Sequence, residues 1–371
     1  MNQRLDTDNY KDLLINDTPL LDVRAPVEYT KGAFPHAYNL PLLNDDQRKQ
    51  IGTCYKRKGQ QAAIELGWQL ATPEVKQQRI TAWAQYIQKN PKGFLYCFRG
   101  GLRSHLSQQL LRDEAGIDYP LVKGGYKAMR RFLIDELDQN CMSMKLVLIS
   151  GRTGTGKTLA IHQIPQSIDL EGLAKHRGSA FGRQIEGQPA QIDFENALSI
   201  KMMKLSSRKG ANQVLFCEDE SKHIGRVMIP MNFLHLMKGA PIAILETPIE
   251  QRIDITLKSY VEDDLPCYLQ CFGQDEGMEK FKEQVLSNVS RIRKKFGEQN
   301  YKLLYGEFEN ALNELKRTGN SEHFRPGIEL LLTKYYDPMY DYSTSKKEDR
   351  VIFRGKREEM ENWAKDFRSL G

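Results

Sequence analysis

The chain has 371 residues, 40% of them apolar and 27% charged, a composition with room for two or three globular domains that excludes a disordered, collagenous or disulfide-stapled chain. Its net charge of +6 is spread as +4 over residues 1–140, −2 over 141–279 and +4 over 280–371; an acidic middle between mildly basic ends suits contact with a polyanion, although so mild a balance equally describes a solvated surface. Six cysteines without framework spacing and an N-terminal stretch without an apolar core predict reduced thiols and a cytoplasmic location, and no apolar run reaches the roughly 18 residues that span a bilayer, so no membrane association is expected.

In chain order, Tyr10 to Ile15 is a short amphipathic segment and Leu20 to Val23 is strand-like. A turn-rich stretch with Gly32 and Pro35 and a second apolar piece, Tyr38 to Leu43, follow. Asp45 to Lys89 is polar and helix-favouring, with Trp68 and Trp83. Gly93 to Tyr96 reads as a buried strand, Cys97 to Ser104 as a glycine-containing loop, and His105 to Ala115 has helical spacing. Leu121-Val122 gives one more short strand, ended by Gly124-Gly125, before a helix from Tyr126 to Leu137. Strands alternating with helices predict a small parallel α/β domain over residues 1–140.

A second α/β domain is predicted over residues 141–277. It opens on the apolar run Lys145 to Ser150, a fully buried strand, and includes strands at Gln213 to Cys217 and Ile242 to Glu246. Residues 278–371 read as a helical C-terminal region, with helices at Met278 to Phe296, Glu307 to Arg317 and Ile328 to Tyr336, a Tyr-rich link, and a last helix near Arg357 to Phe367. No internal repeat or low-complexity tract is visible.

Gly151 to Thr158 matches G-x-x-x-x-G-K-[ST] in full, after a strand and before a helix. In such a loop Gly151, Gly154 and Gly156 let backbone N–H groups, Thr153 among them, turn onto an anion. The helix N-terminus adds its dipole, Lys157 reaches the terminal phosphates and Thr158 can hold Mg²⁺. Glu218 and Asp219, at the end of a buried strand, stand where a metal-associated or water-holding carboxylate would lie; a solvated strand end is the plain alternative. Glu246 to Arg252 and the basic turn His176-Arg177-Gly178-Ser179 are weaker anion-binding candidates. A phosphate loop names neither ligand nor reaction.

Cys97 stands between a strand and a helix, with Arg99, Gly100, Gly101 and Arg103 in its loop. Amides, helix dipole and guanidinium charge converging on a sulfur favour a nucleophilic thiolate, and the same donors would hold a tetrahedral oxyanion. The other five cysteines read as space-filling; Cys267 and Cys271 are four apart, but no second ligand pair completes a metal site.

Leu21-Asp22-Val23-Arg24 with Glu28, Gly32, Ala33, Pro35 and Asn39-Leu40-Pro41 resembles the first signature of a rhodanese domain, Cys97 to Ser104 its active-site loop, and Val122 with Gly124-Gly125-Tyr126 its closing segment. The loop is Cys-x5-Arg, one residue longer than in most sulfurtransferases and equal to that of cysteine-dependent phosphatases, although Tyr96 stands where those have His. A longer ring admits a larger tetrahedral group than a lone sulfur, such as selenophosphate. With His176 to Gly182, Glu218 to Ser221 and Tyr336 to Tyr342 added, the chain resembles the bacterial tRNA 2-selenouridine synthase family.

That resemblance implies replacement of sulfur by selenium in the wobble 2-thiouridine of tRNA, using selenophosphate, through an S-geranyl intermediate made from geranyl diphosphate. It implies Cys97 as the selenium-handling residue and Arg99, Gly100, Gly101 and Arg103 as the selenophosphate ring. Gly151, Thr153, Gly154, Gly156, Lys157 and Thr158 would hold the diphosphate, with Mg²⁺ on Thr158 and no tightly bound cofactor. The expected partners are tRNA and a supplier of selenophosphate. Candidate tRNA contacts are Arg291, Arg293, Lys294 and Lys295, and Tyr335, Tyr336, Tyr340 and Tyr342 with Lys346 and Lys347; a solvated helix face and a tyrosine packing seam are the plain alternatives. The rival functions are a P-loop kinase or NTPase with a phosphatase-like domain, and a sulfur-relay adaptor.

Overall fold

The computed structural model describes residues 4–208 and 214–367; Gln213, where one expected strand begins, lies outside them. The chain separates into two compact units. The first runs to Asn140 and also takes Ala190–Lys204; the second comprises Cys141–Pro189 and everything from Leu205 on. Sequence order puts residues 190–204 among the P-loop elements, but the helix Gln191–Ser206 sets Ile200 and Met203 against Leu13, Met129 and Leu133. Asn196 and Ser199 also donate to the carbonyls of Ala33 and Leu133, each at 2.7 Å.

In the first unit β1 (Leu20–Asp22) lies between β2 (Ala37–Asn39) and β3 (Phe94–Tyr96), all parallel, with Leu21 opposite both Tyr38 and Leu95. Single parallel bridges, Leu95 to Leu121 and Thr7 to Val122, carry the sheet onward. Every residue of β1 is buried because both sheet faces are covered. Alternate side chains then sort to opposite sides. Leu20, Tyr96 and Val122 join the cluster of Leu13 and Leu133, while Leu21, Leu95 and Leu121 meet Trp83, Ile87 and Leu111. The polar stretch after β2 forms two helices, Asp45–Leu70 and Pro73–Lys89, capped by the side chains of Asn44 and Thr72. The first breaks at Gly59, whose φ of 83° is in the left-handed region that glycine tolerates.

The second unit holds a five-stranded parallel sheet. Its strands are β4 (Lys145–Ser150), β5 (Ser167–Ile168), β6 (Val214–Glu218), β9 (Ile242–Leu245) and β10 (Val351–Gly355), in the order β10-β9-β4-β6-β5; β7 (His223–Ile224) and β8 (Val227–Met228) form a separate hairpin. The C-terminal region is therefore not wholly helical: β10 pairs parallel to β9, and the helix Arg357–Asp366 buries Met360 and Ala364 against this sheet, with Trp363 stacked on Phe353 at 4.6 Å. The helices Gln274–Phe296 and Glu298–Thr318 pack along stripes at helical spacing, Phe281, Val285, Val289, Ile292 and Phe296 meeting Leu304, Phe308 and Leu312. Tyr335 and Tyr336 belong to this core, in the π-helical turn Leu332–Tyr336, so these two tyrosines form the packing seam rather than an RNA-facing surface. Among the described residues no helix is long and apolar enough to cross a membrane.

Candidate functional site

Each unit presents one glycine-turned loop at the end of a buried strand. Cys97, 3% exposed, follows β3 directly, and the helix Leu102–Ala115 begins after Gly101. The loop is clamped from behind: the N–H groups of Tyr126 and Lys127 donate to the carbonyls of Cys97 and Phe98, each at 2.9 Å. Gly100 (φ 61°) and Gly125 (φ 57°) make that approach feasible, since a Cβ on Gly125 would stand 2.3 Å from the Cys97 carbonyl oxygen. Cys97 borders a cavity of ≈ 790 Å³ walled by Arg24, Glu28, Arg99, Arg103 and Tyr126.

The arginines here differ in how far they are committed. Arg24, 1% exposed, is held by Asp22 at 2.6 Å and donates to the carbonyls of Glu28 and Gly32; Tyr96 donates to the same carboxylate at 2.7 Å, and the guanidinium lies 3.9 Å from the Tyr126 ring centroid. Burial alone would discourage its charge, but Asp22 outweighs burial and fixes Arg24 as a cation. Arg103 makes two hydrogen bonds to Glu28, at 2.6 and 3.1 Å, and Arg48 approaches that carboxylate at 3.2 Å. Burial works to raise the Glu28 carboxyl, and the two arginines hold it below its ordinary value. Arg99 is exposed and makes no hydrogen bond or ion pair among the described residues. The Oγ of Ser104, at the helix start, is buried without a partner.

In the second unit Lys157 folds over its own loop, its Nζ donating to the carbonyls of Gly151 at 2.8 Å and Arg152 at 3.4 Å. Gly154 (φ 80°) packs so closely on Arg252 that a Cβ would meet its carbonyl oxygen at 2.8 Å. Arg252, buried, donates to the Thr153 carbonyl at 2.9 Å and pairs with Asp337 at 2.5 Å. Arg152 pairs with Asp341 at 2.8 Å. Asp219 accepts from Ser150 and from Lys347, each at 2.9 Å, and Tyr340 donates to Ser150 Oγ at 3.4 Å. The helix Asp337–Ser345 and Lys347 thus brace the phosphate loop. That function of Asp337, Asp341 and Lys347 has no spacing signal, although the Tyr-Asp-Pro-Met-Tyr-Asp-Tyr stretch marks the region.

Behind the loop lies a carboxyl cluster. Glu218, fully buried, accepts from Leu170 N–H at 2.9 Å through Oε2, while its Oε1 is buried without a partner. Burial first, then Asp169 and Glu171, push its carboxyl well above the ordinary range; burial and Glu171 do the same to Glu220. Burial also raises Glu171, which receives the Thr158 hydroxyl at 3.5 Å. Among the described residues no group of three or more His, Cys, Asp or Glu is arranged to hold a metal ion unaided.

The remaining candidates are dispersed. Arg293 is paired with Glu298 at 2.8 Å, Lys294 and Lys295 are exposed, and Tyr342, 67% exposed, accepts from Lys346 at 2.7 Å. Arg291 shares a cleft of ≈ 730 Å³ with Arg183, Arg226, Lys280 and Phe272. His176 borders the same cleft, its Nδ1 buried without a partner, whereas its neighbour Arg177 is paired with Asp264 at 2.7 Å. Cys267 and Cys271 are exposed free thiols, and burial pushes the Cys217 thiol well up.

Two family models match this chain: the rhodanese-like domain over residues 6–131 and the tRNA 2-selenouridine synthase AAA domain over residues 144–369. The chain is 50% identical to the tRNA 2-selenouridine synthase of Marinobacter nauticus over 98% of its own length and 99% of that protein. It is 48% identical to that of Alcanivorax borkumensis, covering 96% and 98%, and 44% identical to that of Shewanella frigidimarina, covering 100% of each. The chain belongs to the tRNA 2-selenouridine synthase family. Within that family its thiol loop falls in the rhodanese-like match and its phosphate loop in the AAA match.

Proposed function

We propose that this chain replaces sulfur by selenium in the wobble 2-thiouridine of tRNA, in two steps divided between its loops. The observation that carries the division is the presence in one chain of a thiol at an arginine-walled cavity and a phosphate loop whose lysine hydrogen-bonds only to main-chain carbonyls. Sulfur on C2 is a poor leaving group until it is alkylated. At the phosphate loop, the thiouridine sulfur bonds to the first carbon of geranyl diphosphate as the carbon–oxygen bond breaks, diphosphate departs with the electron pair, and N3 of the base gives its proton to water. Lys157 and the loop amides stabilise that departing charge. Thr158 and Glu171 are the residues that would hold a Mg²⁺ ion, which would supply charge neutralisation to the departing diphosphate.

In the second step selenophosphate occupies the Cys97 cavity, oriented by Arg99 and Arg103, since a guanidinium fork matches phosphate oxygens. Selenium attacks C2, the C2–S electron pair leaves with geranylthiolate, which takes up a proton, and water releases phosphate from selenium. Cys97 assists selenium delivery. Basic residues about Arg291 follow the RNA backbone, so tRNA affinity falls with rising salt. Mass spectrometry of wobble nucleosides tests the scheme. Cys97→Ala should abolish 2-selenouridine and leave the S-geranyl nucleoside to accumulate; survival of both products would remove the thiol from the reaction.

A further inference from the structure

A helical hairpin in the first unit keeps its apolar side out of the core. Asp45–Leu70 folds back at Gly59, so that Gln47 donates to the Leu70 carbonyl at 3.1 Å and Ile51 lies against Gly67. Ile51, Ala63, Ile64 and Trp68, with Leu106 and Leu110 of the helix Leu102–Ala115, line an open groove of ≈ 390 Å³. Small-molecule pockets occupy roughly 300–1,000 Å³, and this groove is in that range. By contrast, the apolar cavity beside Thr153 measures ≈ 40 Å³. Tyr55, Trp68 and Leu102 on the groove are 56%, 48% and 44% exposed. Large apolar side chains gathered in one exposed patch mark a binding surface.

Two further features narrow the occupant. The charged residues lining the groove are engaged, Lys76 with Glu114, Arg103 with Glu28 and Arg79 with Gln47, so its open surface is apolar. Leu102 and Arg103 also wall the Cys97 cavity, so a ligand lying in the groove ends at the thiol loop. The occupant is thus apolar along its length and attached to an atom that reacts beside Cys97.

We infer that the groove holds the isoprenoid chain of the S-prenylated thiouridine while C2 of the base faces the Cys97 cavity. The assignment rests on the two-step function proposed above. It makes the order of the steps a matter of recognition: an unalkylated thiouridine leaves the groove empty and forgoes its binding free energy, so alkylation precedes selenation.

The test uses the full chain, selenophosphate and two anticodon stem-loop RNAs carrying S-geranyl- or S-methyl-2-thiouridine. Ile64→Glu and Trp68→Ala should each lower kcat/KM on the geranyl RNA by about tenfold or more and leave the S-methyl rate unchanged. Equal losses on both RNAs, or no loss on either, would overturn the assignment. So would an unchanged geranyl rate accompanied by loss of a self-associated species in sedimentation, which gives the groove to a second copy. If the wild-type chain selenates neither RNA, the proposed function fails, and the groove is judged separately by titrating geranylthiol against tryptophan fluorescence. Quenching should appear in the wild type and vanish in Ile64→Glu and Trp68→Phe; no quenching in the wild type overturns the groove as well.

Discussion

The thiol loop, Cys97–Arg103, and the phosphate loop, Gly151–Thr158, both leave a buried parallel strand, turn on glycines with positive φ and enter a helix, yet they manage their charges in opposite ways. In the first, Arg103 rests on Glu28 and Arg24 on Asp22, so both of these guanidinium groups already have a carboxylate, and among the described residues only Arg99 of the loop's arginines is unpaired. In the second, Lys157 is hydrogen-bonded to main-chain carbonyls, while Arg152 and Arg252 are tied off on Asp341 and Asp337. A charged hydrogen-bond partner is stronger than a neutral one. The phosphate loop therefore surrenders its lysine to an arriving anion more readily, which suits a highly charged diphosphate. The thiol cavity, walled by Arg24, Lys31, Arg48, Arg99 and Arg103 against the single carboxylate of Glu28, is cationic too, but all except Lys31 and Arg99 are engaged, which suits a less highly charged anion.

The largest expected effect strikes that balance. Asp22→Ala leaves Arg24 buried without its counter-charge and should cost about 3–5 kcal/mol, read as a lower urea midpoint for the first unit. A loss below about 1 kcal/mol, the worth of an exposed pair, would show that Arg24 is not held by charge. Next, Lys157→Ala should slow geranylation about 10²–10³-fold while selenation of RNA supplied already geranylated is unchanged; equal losses in both steps would erase the distinction between the loops.

Glu218 carries the contrast into pH. Burial and the neighbouring Asp169 and Glu171 raise its carboxyl in the folded chain. Above the unfolded carboxyl's ordinary 4.5, the unfolded chain has lost a proton that the folded chain keeps. Rising pH therefore removes stability, by up to about 1.4 kcal/mol per pH unit within that window. Glu218→Gln deletes this proton, so its melting temperature should gain on the wild type as pH rises above about 5. A constant difference would mean that Glu218 is ionised in the fold.

Much of this was legible beforehand because local chemistry dictated it. The apolar run Lys145–Ser150 before Gly151, and the strand before Cys97, announce strand, loop and helix through periodicity and glycine placement. β10 was not legible: its five residues sit in charged sequence, and what makes them a strand is the open edge of β9. Nor could spacing show that residues 190–204 close the first unit, since the reason is the fit of Ile200 and Met203 to a distant cluster. At the sites, sequence placed Cys97 and Lys157 but not their partners. Glu28, Asp337, Asp341 and Lys347 act through contacts with residues far away in the chain.

The smallest expected effect is the sharpest test of the comparison. Glu28→Gln keeps the size of the side chain but removes its charge and one of the two oxygens that accept from Arg103, leaving Arg103 and Arg48 uncompensated at the wall of the Cys97 cavity. At the high effective dielectric of a solvent-open cavity, one charge removed near an anion is worth about 1 kcal/mol. Inorganic phosphate should therefore inhibit selenation about fivefold more tightly, with KM for selenophosphate falling in step and kcat falling because Arg103 loses its anchor. Because the two arginines hold the Glu28 carboxyl below its ordinary value, the wild type keeps that charge through mildly acidic pH, and its difference from the variant should persist there. A phosphate affinity indifferent to Glu28→Gln would place the anion away from Arg103 and leave Arg99 as the loop's anion contact.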